Sequence, residues 1–598
     1  MVGSGGSVTA ADFIVRLHHS FARLPALVLT PYEFILRSGD ELSAVLLLSA
    51  GGGNPDIVNA ARHASEAAYP AVASIIGRAR SPLATQLSQF RHAQSLELEL
   101  PVSEDPLGAN SLLATVTLLS RAYSSVFTSD LEKVEPPTLS KEIEGPALDS
   151  AVFCVLAAGW TTPAALHLTS ESNEAGLGIA TVTDYRNFAH GGHHVLARRG
   201  DESTVVAFID PDCRDIATAT LDLLPGNVRT VRIETEKRES SAAIELLMLS
   251  MELVERITAQ AQGDRGQRPV TAFGKNLYQL DISKHHRSNK VHRSDRIDLW
   301  IQRKVGGAVW ARAGEDDRNA WRGEYEKWAS LQRVTNVGGI VFDYDGTICE
   351  IDERYSGPGT AIAAALTGIL ERGIPLGVAS GRGRSVVKAL QALLPETHWK
   401  NVTVGPYNGG LLTSLADPYP TNLRSTELMS ETGKILKASP LITALANISY
   451  SGPHQVTLVE KKPFPPGVLR RMVVEILAER DILESVSVQS SGLAVDIIEN
   501  GASKRCVVDH LARQLGDSSQ AVFAVGDQGA FGGNDFTLLA DSHSLSVYRV
   551  SARFDQCWNL ARPGRRGSVA FIDYLDAIVP REGSSGMFVF DIDSLESA

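Results

Sequence analysis

The segment "GGIVFDYDGTICE", residues 338–350, joins a short apolar run to two aspartates and a glycine. The apolar run is typical of a buried strand, and Asp343 and Asp345 lie at its carboxyl end. Gly346 then allows the chain to bend into a loop. Two carboxylates this close repel each other unless a cation neutralises them, and Mg²⁺ is the usual cation. One carboxylate could then attack phosphorus while the other transfers protons. A calcium-type acidic loop or a solvated turn would also fit "DYDGT" alone.

Three later segments place further polar groups after strands or in the first turn of a helix. "IPLGVASGRGR" ends a strand at Ser380, whose hydroxyl suits a phosphate oxygen. "DIIENGASKRCVVDHL" puts Lys504 in the first turn of a helix, where its charge can balance phosphate. "AVFAVGDQGAFGGNDFTLLA" ends a strand at Asp527, and Asn534 and Asp535 follow a glycine-rich loop. Together these segments favour a phosphate and metal site over a solvated turn.

In the order and type of these segments, residues 338 to 575 resemble a haloacid dehalogenase (HAD) superfamily phosphatase. The resemblance implies that Asp343 is the nucleophile and Asp345 the general acid/base. It implies that Ser380 and Lys504 lie on the phosphate side. The resemblance also implies an Mg²⁺ cofactor, and the residues implied to hold it are Asp343, Asp345 through its backbone carbonyl, Asp527 and Asp535.

Substrate contacts are expected from two short segments of the same domain. Gly381 and Arg382 follow Ser380, and "GPYNGG" carries Asn408 and Gly409, which resemble the substrate-side turn of members with an α/β cap. The expected core is 338–408 and 496–580, and the expected cap is 409–495. The loop "GDQGAFGGND" is similar to that of eukaryotic-type phosphomannomutases, so a phosphomutase is the alternative to a phosphatase.

Composition limits the other possibilities. A chain of 598 residues is too long for one core, and its 43% hydrophobic and 21% charged residues are typical of a soluble globular protein. The net charge of −12 argues against a general nucleic-acid binder. Five scattered cysteines, without a CxxC pair, indicate reduced thiols, and neither a signal peptide nor a membrane-spanning run is evident. We therefore expect a cytoplasmic protein without a membrane partner.

The first half of the chain alternates strand-like and helix-like segments, which predicts doubly wound α/β lobes with parallel sheets. The expected boundaries are 1–140 for a first lobe and 147–282 for a second, separated near the polar "KVEPPTLSKEIEGP". Residues 283–336, which begin with the basic "SKHHRSNKVHR", are expected to connect these lobes to the C-terminal domain.

The strand, glycine-rich turn and helix of "AVLLLSAGGGNPDIVNAARHASEAAYPAVASIIGRARSPLAT" resemble the sugar isomerase (SIS) domain, which binds phosphosugars. The second lobe resembles the second SIS unit of double-SIS proteins related to the isomerase half of glucosamine-6-phosphate synthase. Ligand contacts are expected from Ser49, Gly51, Gly52 and Asn54. Ser7 is expected to contribute from the glycine-rich "GSGGS" loop that opens the first helix, which is an anion-binding arrangement.

Three residues match positions that are catalytic in that isomerase family. Glu174 lies sixteen residues before His190, and Lys275 lies in "TAFGKNLYQLDI". The resemblance implies a base, a ring-opening histidine and a carbonyl-side lysine. The alternative is that this half is a non-catalytic ligand sensor or partner-binding module. We therefore predict a bifunctional phosphosugar-handling protein that forms homodimers or larger homo-oligomers through the SIS lobes.

Overall fold

The structure is a computed structural model that describes residues 1–37, 43–66, 69, 71–78, 80–90, 93–98, 109–127, 134–139, 152–262, 271–282, 293–350, 353, 356–461, 467–491, 494–516 and 519–597. The chain divides into two compact units, Met1–Ser288 and Asn289–Ala598. Both have α/β architecture with parallel sheets, which confirms the predicted fold class.

The first unit contains two parallel sheets. One sheet has the order β1–β2–β3 and the other the order β5–β4–β6–β7. The strands are β1 (Val45–Ser49), β2 (Val72–Ile76), β3 (Ala93–Glu97), β4 (Val152–Leu156), β5 (Ile179–Thr183), β6 (Ser203–Ile209) and β7 (Arg229–Glu234). Strands β1, β2, β4 and β6 are largely buried, whereas β3, β5 and β7, each at the edge of its sheet, are more exposed.

The helices of the first unit pack on these sheets and on one another. Phe13 and Ile14 of the first helix lie in one apolar cluster with Val116 and Leu247 of the two longest helices. The helices are α1 (Ser7–Leu17), α2 (Pro31–Ile35), α3 (Pro55–Glu66), α4 (Pro82–Leu87), α5 (Ala109–Phe127), α6 (Thr162–Glu174), α7 (His193–Arg199), α8 (Arg214–Asp222), α9 (Glu239–Gln262) and α10 (Ala272–Tyr278). Single helical turns lie at His18–Ala22, Gly159–Thr161, Asn187–His190 and Gly200–Glu202.

The second unit has a central sheet of order β11–β10–β9–β8–β16–β17, in which β8, β9, β10, β16 and β17 are parallel. The carboxyl ends of neighbouring parallel strands meet at one edge, so the polar residues that follow β8, β9 and β16 are brought together. The strands are β8 (Asn336–Asp343), β9 (Leu376–Ala379), β10 (Val402–Gly405), β11 (Thr413–Ser414), β16 (Gln520–Gln528), β17 (Ser544–Arg549), β18 (Ile578–Pro580) and β19 (Phe588–Phe590).

A separate antiparallel sheet of order β12–β13–β15–β14 forms the cap. Its strands are β12 (Ala446–Tyr450), β13 (Gln455–Glu460), β14 (Val486–Ser491) and β15 (Ala494–Glu499). The last of these runs past residue 495, the boundary expected from the sequence, because Ile497 continues the apolar face that Val495 begins. The core therefore resumes after Glu499.

The helices of the second unit are α11 (Arg293–Val305), α12 (Gly307–Arg312), α13 (Glu315–Val334), α14 (Thr360–Glu371), α15 (Arg384–Leu393), α16 (Glu427–Ala438), α17 (Pro440–Leu445), α18 (Val468–Ala478), α19 (Arg505–Leu515), α20 (Gly567–Asp576) and α21 (Ile592–Ser597). Short 3₁₀ segments lie at Glu396–Asn401 and Leu483–Ser485. None of the helices in the described ranges is long and apolar enough to cross a membrane.

The predicted connection, 283–336, lies partly outside the described residues, but α11, α12 and α13 belong to it. Trp300 of α11 and Trp328 of α13 are buried in the same apolar cluster as Trp558 of the core. The ammonium of Lys304 donates to three backbone carbonyls, at Ser551, Gln556 and Cys557. These helices are therefore packed against the C-terminal core.

Candidate active site

Asp343 is the last residue of β8, and its carboxylate is buried at the carboxyl edge of the central sheet. The Lys504 Nζ donates to Asp343 Oδ1 at 2.5 Å and to Asp535 Oδ1 at 2.6 Å. Lys504 is itself 1% exposed and lies where α19 begins. One buried ammonium thus neutralises part of the charge of two buried carboxylates, as burial of charged groups requires.

Asp535 is held by the strand end that precedes it. Its Oδ2 accepts hydrogen bonds from the backbone N–H groups of Asp527 and Gln528, at 2.8 and 3.0 Å. Gly526 makes this approach possible, because a Cβ there would lie 2.7 Å from the Asp535 carboxylate. The loop between Asp527 and Asp535 therefore folds back over the end of β16.

Asp343, Asp527 and Asp535 each offer an oxygen, and these three atoms lie within 4.8 Å of one another. Within the described part of the chain, Asp343 Oδ2, Asp527 Oδ1 and Asn534 Oδ1 are buried without a hydrogen-bond partner. Buried oxygens without donors are costly unless a ligand satisfies them. Three carboxylates around one point are a donor set that a hard divalent cation such as Mg²⁺ prefers. The residues expected to hold a metal by their side chains are thus brought together and fit one.

The pKa values of the three carboxyl groups differ because their surroundings differ. Burial, followed by the negative charge of Asp535, raises the pKa of Asp343 to about 8, although Lys504 opposes the shift. Burial likewise raises the pKa of Asp527 well above its usual range. Burial would also raise the pKa of Asp535, but Lys504 and backbone donors outweigh it and hold this pKa below its usual range. The carboxylates of Asp343 and Asp527 are therefore stabilised by binding a proton or a cation.

Asp345 points to a different partner. Its carboxylate pairs with both Nε and Nη2 of Arg382, and the Nε–Oδ2 distance is 2.7 Å. The guanidinium also lies over the ring of Tyr344, 4.9 Å from its centroid. Sequence reasoning assigned Arg382 to the substrate and Asp345 to proton transfer, without a contact between them. The structure adds that contact.

The loop after β9 contacts the turn after β10. Ser380 is buried, and its Oγ accepts from the backbone N–H of Arg382 at 3.1 Å. The N–H of Asn408 donates to the Ser380 carbonyl at 2.8 Å. Gly409 has φ +81°, and a Cβ there would lie 2.1 Å from the Ser503 carbonyl oxygen, next to Lys504. The turn thus contacts both the Ser380 loop and the start of α19.

The cap contributes polar residues that the sequence interpretation did not include. Asn408 Nδ2 donates to Gln455 Oε1 at 3.1 Å and lies 3.4 Å from Asp496 Oδ2. Asp496 also accepts from Gln455 and from Thr457, at 3.0 and 2.8 Å. The available signal was Asp496 in the interior of the apolar segment "AVDIIE", since a buried strand rarely carries a carboxylate there without a partner.

In the first unit, the glycine-rich turn after β1 is built as the sequence predicts for a tight turn. Ser49 Oγ accepts from the Gly52 N–H at 3.0 Å, and Asn54 Oδ1 accepts from the Asp56 N–H at 2.7 Å. Gly52 has φ +61°, and a Cβ there would collide with Ser81. A Cβ at Gly51 would meet nothing within 4 Å. The Ser49 hydroxyl is therefore engaged in shaping the turn.

The three residues that match isomerase positions do not contact one another through hydrogen bonds or ion pairs in the described part of the chain. Ser7 opens α1, and Glu174 Oε1 lies 3.3 Å from where a Cβ of neighbouring Gly5 would be. Glu174, His190 and Lys275 are all exposed, and across the described residues no hydrogen bond or ion pair connects them. Glu174 instead accepts a bond from Ser170 in its own helix.

No protein-family model matches the chain. No curated protein matches it. Among solved structures, the chain is similar to the C-terminal domain of glucosamine-fructose-6-phosphate aminotransferase from Francisella tularensis, with 13% identity, a TM-score of 0.35, and coverage of 45% of this chain and 86% of that one.

Two further solved structures are similar to the chain. The C-terminal domain of trehalose-6-phosphate phosphatase from C. albicans has 14% identity, a TM-score of 0.31, and coverage of 43% of this chain and 97% of that one. A HAD/COF-like hydrolase from Plasmodium vivax has 14% identity, a TM-score of 0.32, and coverage of 42% of this chain and 98% of that one.

Proposed function

We propose that the C-terminal unit is a Mg²⁺-dependent phosphomonoesterase that works through a phosphorylated Asp343. The observation that carries this proposal is the buried Asp343 carboxylate, which has one oxygen bonded to Lys504 and the other without a partner among the described groups. Mg²⁺ held by Asp343, Asp527 and Asp535 would neutralise phosphate charge during attack.

The two aspartates of the opening segment divide the reaction. The partnerless oxygen of Asp343 attacks phosphorus, and the bond from phosphorus to the ester oxygen breaks. Asp345 donates a proton to the departing alkoxide and then takes a proton from the attacking water. The second attack breaks the bond between Asp343 and phosphorus and releases inorganic phosphate. Arg382 has to exchange Asp345 for another anion, and the phosphate of the substrate is the natural replacement.

The test is phosphate release from a panel of sugar phosphates and nucleotides with Mg²⁺, in the wild type and in Asp343→Asn. Turnover is expected to fall below detection in Asp343→Asn while calorimetric binding of the substrate is retained. Turnover that persists in this variant would contradict the nucleophile assignment. A sugar bisphosphate serves as the check on the phosphomutase alternative, because a mutase would transfer its phosphate to a sugar monophosphate instead of water.

For the first unit, Glu174, His190 and Lys275 are exposed and share no hydrogen bond in the described part of the chain, which favours binding of a sugar phosphate without isomerisation. Isomerisation requires a base within hydrogen-bonding reach of the sugar carbon that loses its proton. Exchange of the C1 or C2 proton of hexose phosphates with deuterated water would distinguish the two. Exchange that is present in the wild type and absent in Glu174→Gln would restore the isomerase reading.

A further inference from the structure

The cap sheet has one apolar and one polar face. Val495 and Ile497 of β15 are buried in the cap's apolar cluster, and Asp496 between them points to the opposite face. Strand register places four polar residues in one row across the sheet, since Ser449 pairs with Thr457, Thr457 with Asp496, and Asp496 with Gln489. Side chains directly opposite each other share a face. This polar row is therefore Ser449, Thr457, Asp496 and Gln489.

The polar row faces the catalytic loops of the core. Asp496 Oδ2 lies 3.4 Å from Asn408 Nδ2, and a Cβ on Gly381 would lie 3.4 Å from the same oxygen. At the edge of the sheet, the Ser490 N–H donates to the Gly532 carbonyl at 2.9 Å. Gly532 belongs to the loop that leads to Asp535. The row thus lies over the Ser380 loop and beside the carboxylate cluster.

Two hydrogen-bond acceptors lack donors, one in the polar row and one on Asn408 of the core. Asp496 is satisfied by Thr457 and Gln455. In contrast, Asn408 Oδ1 and Gln489 Oε1 are buried and have no hydrogen-bond partner in the described structure. The orientation of the Asn408 amide is fixed, because its Nδ2 faces the acceptors Gln455 Oε1 and Asp496 Oδ2. Its oxygen therefore needs a donor.

A buried acceptor without a donor is expensive, and hydroxyl groups are the donors that a polyhydroxylated ligand supplies. Asn408 is 0% exposed and Gln489 is 5% exposed, so the cap would have to separate from the core for a ligand to reach them. A ligand whose phosphate lies at Asp343 would direct its alcohol part towards this face. The chemistry of the two oxygens matches sugar hydroxyls better than an aromatic or aliphatic group.

We propose that Gln489, together with Asn408 positioned by Asp496, accepts hydrogen bonds from the hydroxyls of the substrate's sugar part and so determines specificity for sugar phosphates. This proposal rests on the phosphomonoesterase function proposed above. Asp496 acts through Asn408 and is a positioning residue, whereas Gln489 contacts the sugar.

The test compares Gln489→Met, which keeps the side-chain volume and removes the acceptor, with Ser449→Ala. Ser449 is in the same row but is exposed at its outer edge, so it is the matched control. For each protein, kcat/KM is measured for hexose 1- and 6-phosphates and for phenyl phosphate, which has no hydroxyl on its leaving group. The specificity ratio is kcat/KM for the best hexose phosphate divided by kcat/KM for phenyl phosphate. Gln489→Met is expected to lower this ratio about tenfold, the loss typical of one hydrogen bond to a substrate hydroxyl. Ser449→Ala should leave this ratio as in the wild type.

Three results would overturn the specificity assignment. The first is a wild type that does not prefer any hexose phosphate to phenyl phosphate. The second is a specificity ratio in Gln489→Met that equals the wild-type ratio. The third is an equal fall of kcat/KM on both substrates in Gln489→Met, which a purely structural role would give. If the wild type hydrolyses neither substrate class, the proposed hydrolysis is wrong. In that case calorimetry tests the role of Gln489 without turnover. Hexose phosphates should bind the double variant Asp343→Asn/Gln489→Met about tenfold more weakly than they bind Asp343→Asn. Equal binding by the two proteins, or no binding by either, would overturn the assignment.

Discussion

Lys504 and Asp343 form a fully buried ion pair, with 2.5 Å between Nζ and Oδ1. The same ammonium neutralises Asp535, so its removal would leave two buried carboxylates without a cation. Breaking a buried pair in this way typically costs about 3–5 kcal/mol. We expect Lys504→Met to lose about this much free energy of unfolding by urea denaturation, and to lose phosphate release as well.

The matched control for this change is Lys388→Met, on the exposed side of α15. Its ammonium is in solvent, so its removal should alter the free energy of unfolding by no more than about 0.5 kcal/mol. Equal losses in the two variants would mean that the Lys504–Asp343 pair does not stabilise the site.

Asp345 is expected to be needed after phosphorylation even where the leaving group needs no proton. The substrate for this test is p-nitrophenyl phosphate. Its leaving group, p-nitrophenolate, departs without protonation, because p-nitrophenol is a far stronger acid than a sugar alcohol. Asp345→Asn should therefore release a burst of about one p-nitrophenolate per site and then stop, since no base activates water. Stopped-flow absorbance measures the burst. A slow linear release without a burst would contradict the assignment of Asp345 to the second step.

Stabilisation by Mg²⁺ should depend on pH in one direction. The pKa of Asp343 is raised to about 8 and that of Asp527 is raised as well, so protons occupy these carboxyl groups at lower pH. Magnesium requires the deprotonated groups, and its apparent affinity therefore rises as pH increases from about 6 to about 8. Thermal melts at fixed Mg²⁺ should show a larger rise in Tm at pH 8 than at pH 6.

The control for the magnesium effect is Asp527→Asn, which removes one ligand and its charge. Its Tm should rise little on addition of Mg²⁺ at either pH, and EDTA should reverse the rise in the wild type. A wild-type rise in Tm of the same size at both pH values would contradict proton-coupled binding at these carboxylates.

The parts of the site that the sequence predicted are those fixed by local rules. Asp343, Ser380 and Asp527 lie within one residue of the carboxyl ends of β8, β9 and β16, and neighbouring parallel strands bring such positions together. Knowing the strand ends was therefore enough to place them. The predicted α/β fold class followed from the same alternation of apolar strands and amphipathic helices.

Contacts that depend on how the chain returns on itself were not predictable. Asp496 meets Asn408 only because the cap sheet lies over the core, and the pairing of Arg382 with Asp345 depends on the bend of the Ser380 loop. In the first unit, sixteen-residue spacing between Glu174 and His190 matched a family pattern, but spacing along the chain does not fix distance in space. Isomerisation and homo-oligomer formation accordingly stay predictions.

The turn that joins the Ser380 loop to Lys504 offers a test with an internal reference. Gly409 and Gly373 have nearly the same positive φ, +81° and +80°. A Cβ at Gly409 would lie 2.1 Å from the Ser503 carbonyl oxygen, whereas a Cβ at Gly373 would meet nothing within 4 Å. Both alanine variants incur the cost of a left-handed residue, about 1–2 kcal/mol, but only Gly409→Ala also has to displace the backbone that carries Lys504. We expect Gly409→Ala to be less stable than Gly373→Ala by about 1–3 kcal/mol in urea denaturation.

Gly409→Ala should also lose phosphate release, because Lys504 moves relative to Asp343, while Gly373→Ala keeps it. Equal stabilities in the two variants would show that the turn yields without moving Ser503, and normal phosphate release in Gly409→Ala would show that the position of Lys504 does not depend on this contact.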